Sequence, residues 1–309
     1  MPEGDSVFQL ARRLQFMTGR EVTYCSLRVP RLATVDFTGT VCRRVWPYGK
    51  HLFMLFDQDV LHTHLKMEGT WAIHRAGQRW KKPGFSARVV LRLSCDAGAD
   101  IEVVGHHLGL VEAFPARQWR SRMSYLGPDV LGADWADHGR AEARRRLAAR
   151  PERPVGTAIL DQKNLAGVGN EYRAEICFLL GVHPATPIGA VDLDRLLALA
   201  HRLMRANRDS PIRVTTGVRR AGESSYVFGR AGKPCRRCGT PIASGWLGGA
   251  HPAGARRAVP APRQPGGAAN AAGAIAVDAR GRPRIPGDPT ELERVIWWCP
   301  SCQPLAAGR

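Results

Sequence analysis

Acidic side chains are in short supply in this sequence. Asp and Glu total 27 against 45 Lys and Arg, a formal net charge of +18 over 309 residues. An excess of that size points to a polyanionic partner, with nucleic acid foremost; a generic basic surface or an Arg-rich coding bias is the plainer reading. Long apolar runs are missing too. No stretch approaches the roughly 20 apolar residues of a membrane-spanning helix, so no membrane partner is expected. Nor is there a leader in which basic residues precede an apolar core: the front reads Pro2-Glu3-Gly4. The chain is therefore expected in the cytoplasm, with the nucleoid. Large apolar side chains are sparse between about 244 and 290, where Ala, Gly, Pro and Arg prevail. Such a stretch cannot offset the entropy of ordering and is expected to be a disordered insertion.

What is present suffices for about two domains, with 44% hydrophobic residues to build their cores. Val7, Leu10, Ala11, Leu14 and Met17 recur at helical spacing and Gly19 ends the run, with Asp5 or Ser6 as the expected cap. Short strands follow, at Glu21–Val29, Thr40–Trp46, His51–Phe56, Val60–Leu65, Thr70–Ile73, Ala87–Leu93 and Ile101–Val104, with turn residues between them. That pattern suggests an antiparallel β-sandwich. Leu126-Gly127-Pro128-Asp129 reads as part of a linker. Helices are expected over Arg140–Ala149, Val155–Asp161, Glu171–Leu180 and Val191–Arg208.

Four of the eight cysteines form two close pairs, Cys235-x-x-Cys238 and Cys299-x-x-Cys302. Two such pairs suit tetrahedral zinc, and four protein ligands leave no open position, so the metal is expected to be structural. The gap of 60 residues between the pairs exceeds the usual roughly 15–20; the low-complexity stretch accounts for it. Cys25, Cys42, Cys95 and Cys177 lie among apolar residues and are expected as buried thiols.

Several shorter stretches have a chemical reading beside a plain one. Met1 precedes the small Pro2, a context in which the initiator is normally removed. Pro2 would then carry a free secondary amine, able to attack a sugar carbon and form an iminium ion, with Glu3 beside it to move protons. An ordinary start followed by two solvated residues is the plain reading. Leu165-Ala166-Gly167-Val168-Gly169-Asn170 joins two helices. Its glycines let a backbone approach phosphate, and a helix N-terminus offers N–H groups to an anion; a tight interhelical turn would look alike. Lys50, after Tyr48-Gly49, could face a cleft or merely be solvated. Met67, in Lys66-Met67-Glu68, could wedge into a base stack or serve in a core.

Taken together these residues resemble the formamidopyrimidine-DNA glycosylase/endonuclease VIII family. The resemblance runs in order along nearly the whole chain: Met1-Pro2-Glu3-Gly4, Gly49-Lys50, the Met67 turn, Leu126-Gly127-Pro128, and Asp161 to Asn170. It continues through Gly229-Arg230-x-Gly232-Lys233-Pro234-Cys235-Arg236-x-Cys238-Gly239 and Trp298-Cys299-Pro300-x-Cys302-Gln303. It implies an α+β fold with an N-terminal antiparallel β-sandwich, a helix–two-turn–helix domain and a C-terminal zinc-finger β-hairpin, with DNA bound between the lobes. The implied divisions are 1–120 for the catalytic sandwich with its first helix, 121–135 for a linker, 136–225 for the helical domain and 226–309 for the finger with its insertion.

The implied activity is that of a bifunctional DNA glycosylase and abasic-site lyase, working as a monomer on damaged double-stranded DNA with one structural Zn2+. Pro2 would attack C1′ of an everted nucleoside, at an eversion cost least for a damaged base, and β- and δ-elimination would cut the strand. Glu3 would act as acid and base, Lys50 would contact the sugar–phosphate, Met67 would fill the void, and Asn170 would hold phosphate. Arg294, five residues before Cys299, matches the finger-tip arginine that grips phosphate beside the lesion.

Pro2-Glu3-Gly4 is similar to the endonuclease VIII branch. His106-His107-Leu108 stands where the guanine-directed branch has Arg and Phe, and Gly217–Val227 is short for the loop that branch folds over 8-oxoguanine. Oxidised pyrimidines are therefore the expected substrates. Activity on 8-oxoguanine and ring-opened purines, and a damage-binding protein without catalysis, remain the alternatives. Ser6 stands where the family commonly has a second acidic residue.

Overall fold

The computed structural model describes residues 2–96, 98–248, 282–286 and 293–305. Met1, on whose removal the expected amine depends, lies outside them. The chain forms two compact units. One comprises 1–140 with 165–167 and 204–210; the other comprises 141–164, 168–203 and the described part of 211–309.

Helix α1, Gly4–Arg13, opens the first unit and buries Val7, Leu10 and Ala11, the stripe that the sequence spacing predicts. Asp5 in its first turn and Arg12 and Arg13 in its last match the helix dipole. The cap position falls to Glu3 in extended conformation, not to Asp5 or Ser6.

Eight strands follow: β1 Val22–Leu27, β2 Cys42–Tyr48, β3 His51–Phe56, β4 Asp59–His64, β5 Thr70–Arg75, β6 Ala87–Leu93, β7 Ile101–His106 and β8 Leu110–Pro115. They form two antiparallel sheets, ordered β1-β6-β7-β5 and β2-β3-β4-β8. The strand β8 was not expected. Its single inward rhythm is weak because Glu112 sits opposite His62 rather than in solvent. Both sheets and α1 share one core, in which Val22, Met54, Leu61, Trp71, Leu91 and Val103 meet. A second cluster lies on the other face of the β2–β8 sheet, where Phe53, Val60 and Phe114 pack with Met123 of α2, Trp119–Met123, and with Leu126.

The stretch 121–135, expected to be a linker, is packed. Val130 and Trp135 are buried, and residues 128–130 pair with Ala166: Ala166 donates to the Pro128 carbonyl at 2.9 Å and Val130 donates to the Ala166 carbonyl at 3.2 Å.

The helical region holds α3 Arg140–Ala148, α4 Val155–Ala158, α5 Asn170–Leu180 and α6 Leu193–Asn207. Helix α4 is shorter than the pattern suggests, since Asp161 and Asn164 turn the chain instead. Gly181 ends α5 with φ +75°, a left-handed cap.

The C-terminal sheet is ordered β10-β9-β11, with β9 Ala243–Gly248, β10 Arg284–Pro286 and β11 Arg294–Trp298. The antiparallel β9–β11 pair is the expected hairpin; β10 joins it in parallel. Ser244–Gly248 and Arg284–Pro286 thus form strands inside the stretch expected to lack order. Within that insertion, 249–281 and 287–290 lie outside the described residues.

Candidate functional site

Glu3, at the entry to α1, is fully buried, and Pro2 beside it is partly exposed. Three glycines fix this corner. Gly4 donates to the Gly167 carbonyl at 2.9 Å. A Cβ on Gly4 would lie 3.0 Å from the Gly167 Cα, and one on Gly49 would lie 2.9 Å from the Ala166 Cβ and 3.1 Å from the Gly167 nitrogen. Gly49 and Gly167 also hold positive φ, +55° and +106°, which favours glycine. Backbone thus approaches backbone where side chains would intervene, so 165–167 spaces the α1 entry from the Gly49-Lys50 turn. The structure brings Pro2, Glu3 and Lys50 to that one clasp.

A residue missed in the sequence reading closes it. Asp129 is buried and accepts N–H bonds from Gly49 and Leu131. Burial pushes its carboxyl above the usual range, and those two bonds pull it back. Only the Gly-Pro-Asp turn composition pointed to this position, and it suggested a linker.

Directly after Lys50 the strand pair β3–β4 carries three histidines, His51, His62 and His64. Glu112 accepts from His62 Nδ1 at 3.2 Å, which leaves His62 Nε2 to accept from His51 Nδ1 at 2.8 Å. His64 Nδ1 accepts the Lys66 N–H at 2.8 Å, so its proton rests on Nε2. Burial first, and then neighbouring cations and imidazoles, press His51 and His64 down to about 3. Burial, with Arg122 adding to it, holds His62 down to about 4. The three imidazoles are therefore neutral near pH 7.

Met67 is 67% exposed at the β4–β5 turn, beside Lys66 with φ +53°. It belongs to no core. Of the expected wedge region, His106 is buried and His107 is exposed at φ +49°.

In the second unit, Asn170 opens α5 and its amide donates to the Val295 carbonyl at 3.2 Å. Arg173, fully buried, donates to the same carbonyl at 2.6 Å. Arg294, the neighbour of Val295, is exposed at the start of β11. The structure thus ties Asn170 and Arg173 to β11 one residue after Arg294. Glu175, also missed, accepts from the Tyr226, Val227 and Phe228 N–H groups at 2.8, 2.9 and 2.9 Å, and from the Thr215 hydroxyl. Thr215 N donates to the Ser224 carbonyl at 2.8 Å, and the Thr216 hydroxyl donates to the Glu223 carbonyl at 2.7 Å. The expected short Gly217–Val227 segment is thus closed on itself.

The sulfurs of Cys235, Cys238, Cys299 and Cys302 lie within 4.8 Å of one another. Three of their separations are 3.4, 3.5 and 4.0 Å. Tetrahedral metal–sulfur bonds of about 2.3 Å would space sulfurs by about 3.8 Å, so the four thiols fit one metal ion. Gly239, at φ +79°, turns the first pair, and Gly239 N donates to the Cys235 carbonyl at 2.9 Å. Gln303 organises the second pair: its side-chain oxygen accepts from Cys299 N at 3.0 Å and its amide donates to the Val182 carbonyl at 2.8 Å.

Two family models match the chain: the formamidopyrimidine-DNA glycosylase N-terminal domain over residues 1–106, and the formamidopyrimidine-DNA glycosylase H2TH domain over residues 126–210. Among curated proteins it is 45% identical to "Probable endonuclease 8 2" of Streptomyces coelicolor, over 78% of this chain and 86% of that one. It is 43% identical to the "DNA-(apurinic or apyrimidinic site) lyase Nei2" of Mycolicibacterium smegmatis, over 78% and 92%. Among solved structures, the Lactococcus lactis Fpg (MutM) in complex with N7-benzyl-Fapy-dG containing DNA shares the fold. The TM-score is 0.68 at 18% identity, covering 98% of this chain and 100% of that one.

Proposed function

The chain belongs to the formamidopyrimidine-DNA glycosylase/endonuclease VIII family, and on that premise we propose that it is a bifunctional DNA glycosylase and abasic-site lyase of base excision repair. The observation that carries this reading is the clasp of Gly4, Gly49 and Gly167, which holds the α1 entry beside the Lys50 turn. Once Met1 is removed, the Pro2 nitrogen attacks C1′ of an everted nucleoside. The C1′–N bond to the base breaks, and the base departs with a proton. Glu3 moves protons at the sugar. The positive end of α1 disfavours a protonated amine, which raises the nucleophilic fraction.

The C1′–O4′ bond then breaks, O4′ takes a proton delivered by Glu3, and the iminium formed between Pro2 and C1′ acidifies the C2′ proton. Its removal expels the 3′ phosphate, and a second elimination expels the 5′ phosphate, leaving phosphate at both ends of the gap. Lys50 contacts the sugar–phosphate, Met67 enters the space left by the base, and Asn170 and Arg294 hold backbone phosphate. Cys235, Cys238, Cys299 and Cys302 hold one structural Zn2+ with no open position. The partner is damaged double-stranded DNA, bound by a monomer. No helix among the described residues is long and apolar enough to cross a membrane.

Oxidised pyrimidines are the preferred lesions in this reading. The support is the self-closed Gly217–Val227 segment, held at its base by Glu175, which leaves little chain to fold over a purine. A panel of single-lesion duplexes tests the preference, and faster excision of 8-oxoguanine than of oxidised pyrimidines would reverse it. Borohydride trapping on abasic-site DNA tests the chemistry. A covalent adduct is expected with the processed protein and none with Pro2→Gly or with Met1 retained; unchanged trapping would remove Pro2 as the nucleophile.

A further inference from the structure

Between β5 and β6 the sequence from Arg75 to Arg88 holds five basic residues, Arg75, Arg79, Lys81, Lys82 and Arg88, and no acidic one. Phe85 lies in this stretch and is 80% exposed, although nothing in the proposed chemistry uses it. A lone exposed aromatic on a floppy loop would mean little. This loop is held at many points. Trp80 packs on Ala87, Val90 and Val104, and its indole N–H donates to the buried Glu102 at 2.6 Å. Arg28 stacks over the Trp80 ring at 5.4 Å and donates to the Gly84 carbonyl at 3.2 Å. The Ser86 hydroxyl donates to the Pro83 carbonyl at 2.6 Å and therefore accepts from His106 Nδ1, at 2.8 Å. Phe85 is thus presented to solvent by a braced turn, Gly84–Ser86.

Two further bonds tie it to the neighbouring exposed tips. Lys82 donates to the Thr70 hydroxyl at 2.8 Å, close after Met67, and His107 N donates to the Ser86 carbonyl at 2.8 Å. One edge of the sandwich thus bears Met67, Phe85 and His107 among Lys66, Lys81 and Lys82. Residues Gln78 to Gly84 line a concavity of about 620 Å³ next to Phe85 in the chain.

We infer that this loop is a binding platform for unpaired DNA, with Phe85 stacking on a base and Arg79 and Lys81 tracking the backbone phosphates. Basic grooves interleaved with exposed aromatics suit single strands, because every base has a face to stack and its neighbour a phosphate to pair. The positive excess, five basic residues and no acidic one from Arg75 to Arg88 with the exposed Glu68 beside Met67 on the neighbouring tip, favours a nucleic acid over a protein as the occupant. The bracing means that little order is lost on binding. The inference rests on DNA as the partner but not on the Pro2 chemistry.

The test uses undamaged oligonucleotides and the full-length, metal-loaded protein, so a failure of trapping at Pro2 leaves it intact. Affinities for a thymidine 12-mer containing one 2-aminopurine and for a matched duplex are measured by anisotropy across a salt series. Phe85→Ala is expected to weaken single-strand binding about tenfold, to abolish the change in 2-aminopurine fluorescence, and to weaken duplex binding much less. Phe85→Trp restores both signals. Lys81→Ala is expected to reduce the single-strand log–log salt slope by about 0.7. Equal losses on single strand and duplex would overturn the assignment. Unchanged affinity in Phe85→Ala would also overturn it and would leave the ring to a protein partner. A thermal midpoint equal to that of the parent protein verifies that Phe85→Ala is folded.

Discussion

Gly4 donates its N–H to the Gly167 carbonyl at 2.9 Å, and a Cβ on Gly4 would stand 3.0 Å from the Gly167 Cα. The entry to α1 is therefore set by two backbones in contact, with the Met204 methyl carbon packed against both glycines, 2.7 Å and 3.1 Å from the Cβ positions of Gly4 and Gly167. Gly167→Ala places a methyl group at φ +106° and 3.1 Å from the Met204 methyl carbon. The strain is about 1–3 kcal/mol, and borohydride trapping should slow by about tenfold or more. Gly19→Ala is the comparison, at φ +87° with nothing within 4 Å of its Cβ. It should lower the thermal midpoint and spare trapping. Equal slowing in both variants would deny the clasp its role.

Asn170 and Arg294 should separate in a salt titration of duplex binding. Arg294 is exposed, and Arg294→Ala should lower the log–log slope by about 0.9 with stability unchanged. Asn170 spends its amide on the Val295 carbonyl. Asn170→Ala should therefore also cost about 1 kcal/mol of stability, moderated because Arg173 bonds the same oxygen. A salt slope untouched by Arg294→Ala would remove that residue from the phosphate contacts.

Stability should fall on the acid side of neutrality through the buried histidines. Burial holds His62 down to about 4 and His51 down to about 3, against roughly 6.5 for an unfolded histidine. The unfolded chain binds protons that the fold refuses. The contribution is complete above pH 6.5 and is lost as pH drops through about 4. For His62 it is on the order of 3 kcal/mol. His62→Phe should flatten the dependence of unfolding free energy on pH in that window by up to one proton. It should also lower stability at pH 7, because His51 and Glu112 lose their partner. Denaturant titrations at several pH values supply the slope, and an unaltered slope would contradict the neutral array.

Stripping the metal should release one zinc per chain, measurable with a chromogenic chelator, and weaken duplex binding by about tenfold or more. Cys238→Ser should purify with substoichiometric zinc and behave like the stripped protein. Full duplex affinity in a zinc-free preparation would disconnect the four-cysteine cluster from DNA binding.

The parts of this fold that rest on local pattern were legible beforehand. The α1 stripe, seven of the eight sandwich strands and the two cysteine pairs each announce themselves through spacing within a few residues. What escaped depends on partners distant in the chain. Asp129 matters because Gly49 comes to it, and Glu175 because Thr215 and Tyr226–Phe228 fold over it. A single Asp or Glu carries no sign of such an appointment. Strand β10 was hidden for a related reason: Arg284-Ile285-Pro286 has little strand character alone and forms against Trp246–Gly248.

That pairing is parallel: Arg284 lies opposite Trp246, and Pro286 opposite Gly248. Parallel neighbours need a connection of about a dozen residues or more. A variant that joins Gly248 to β10 by a tight reversal should therefore be unable to form this pair. Trimming experiments should meet a minimum length, below which the third strand is lost while the β9–β11 pair survives.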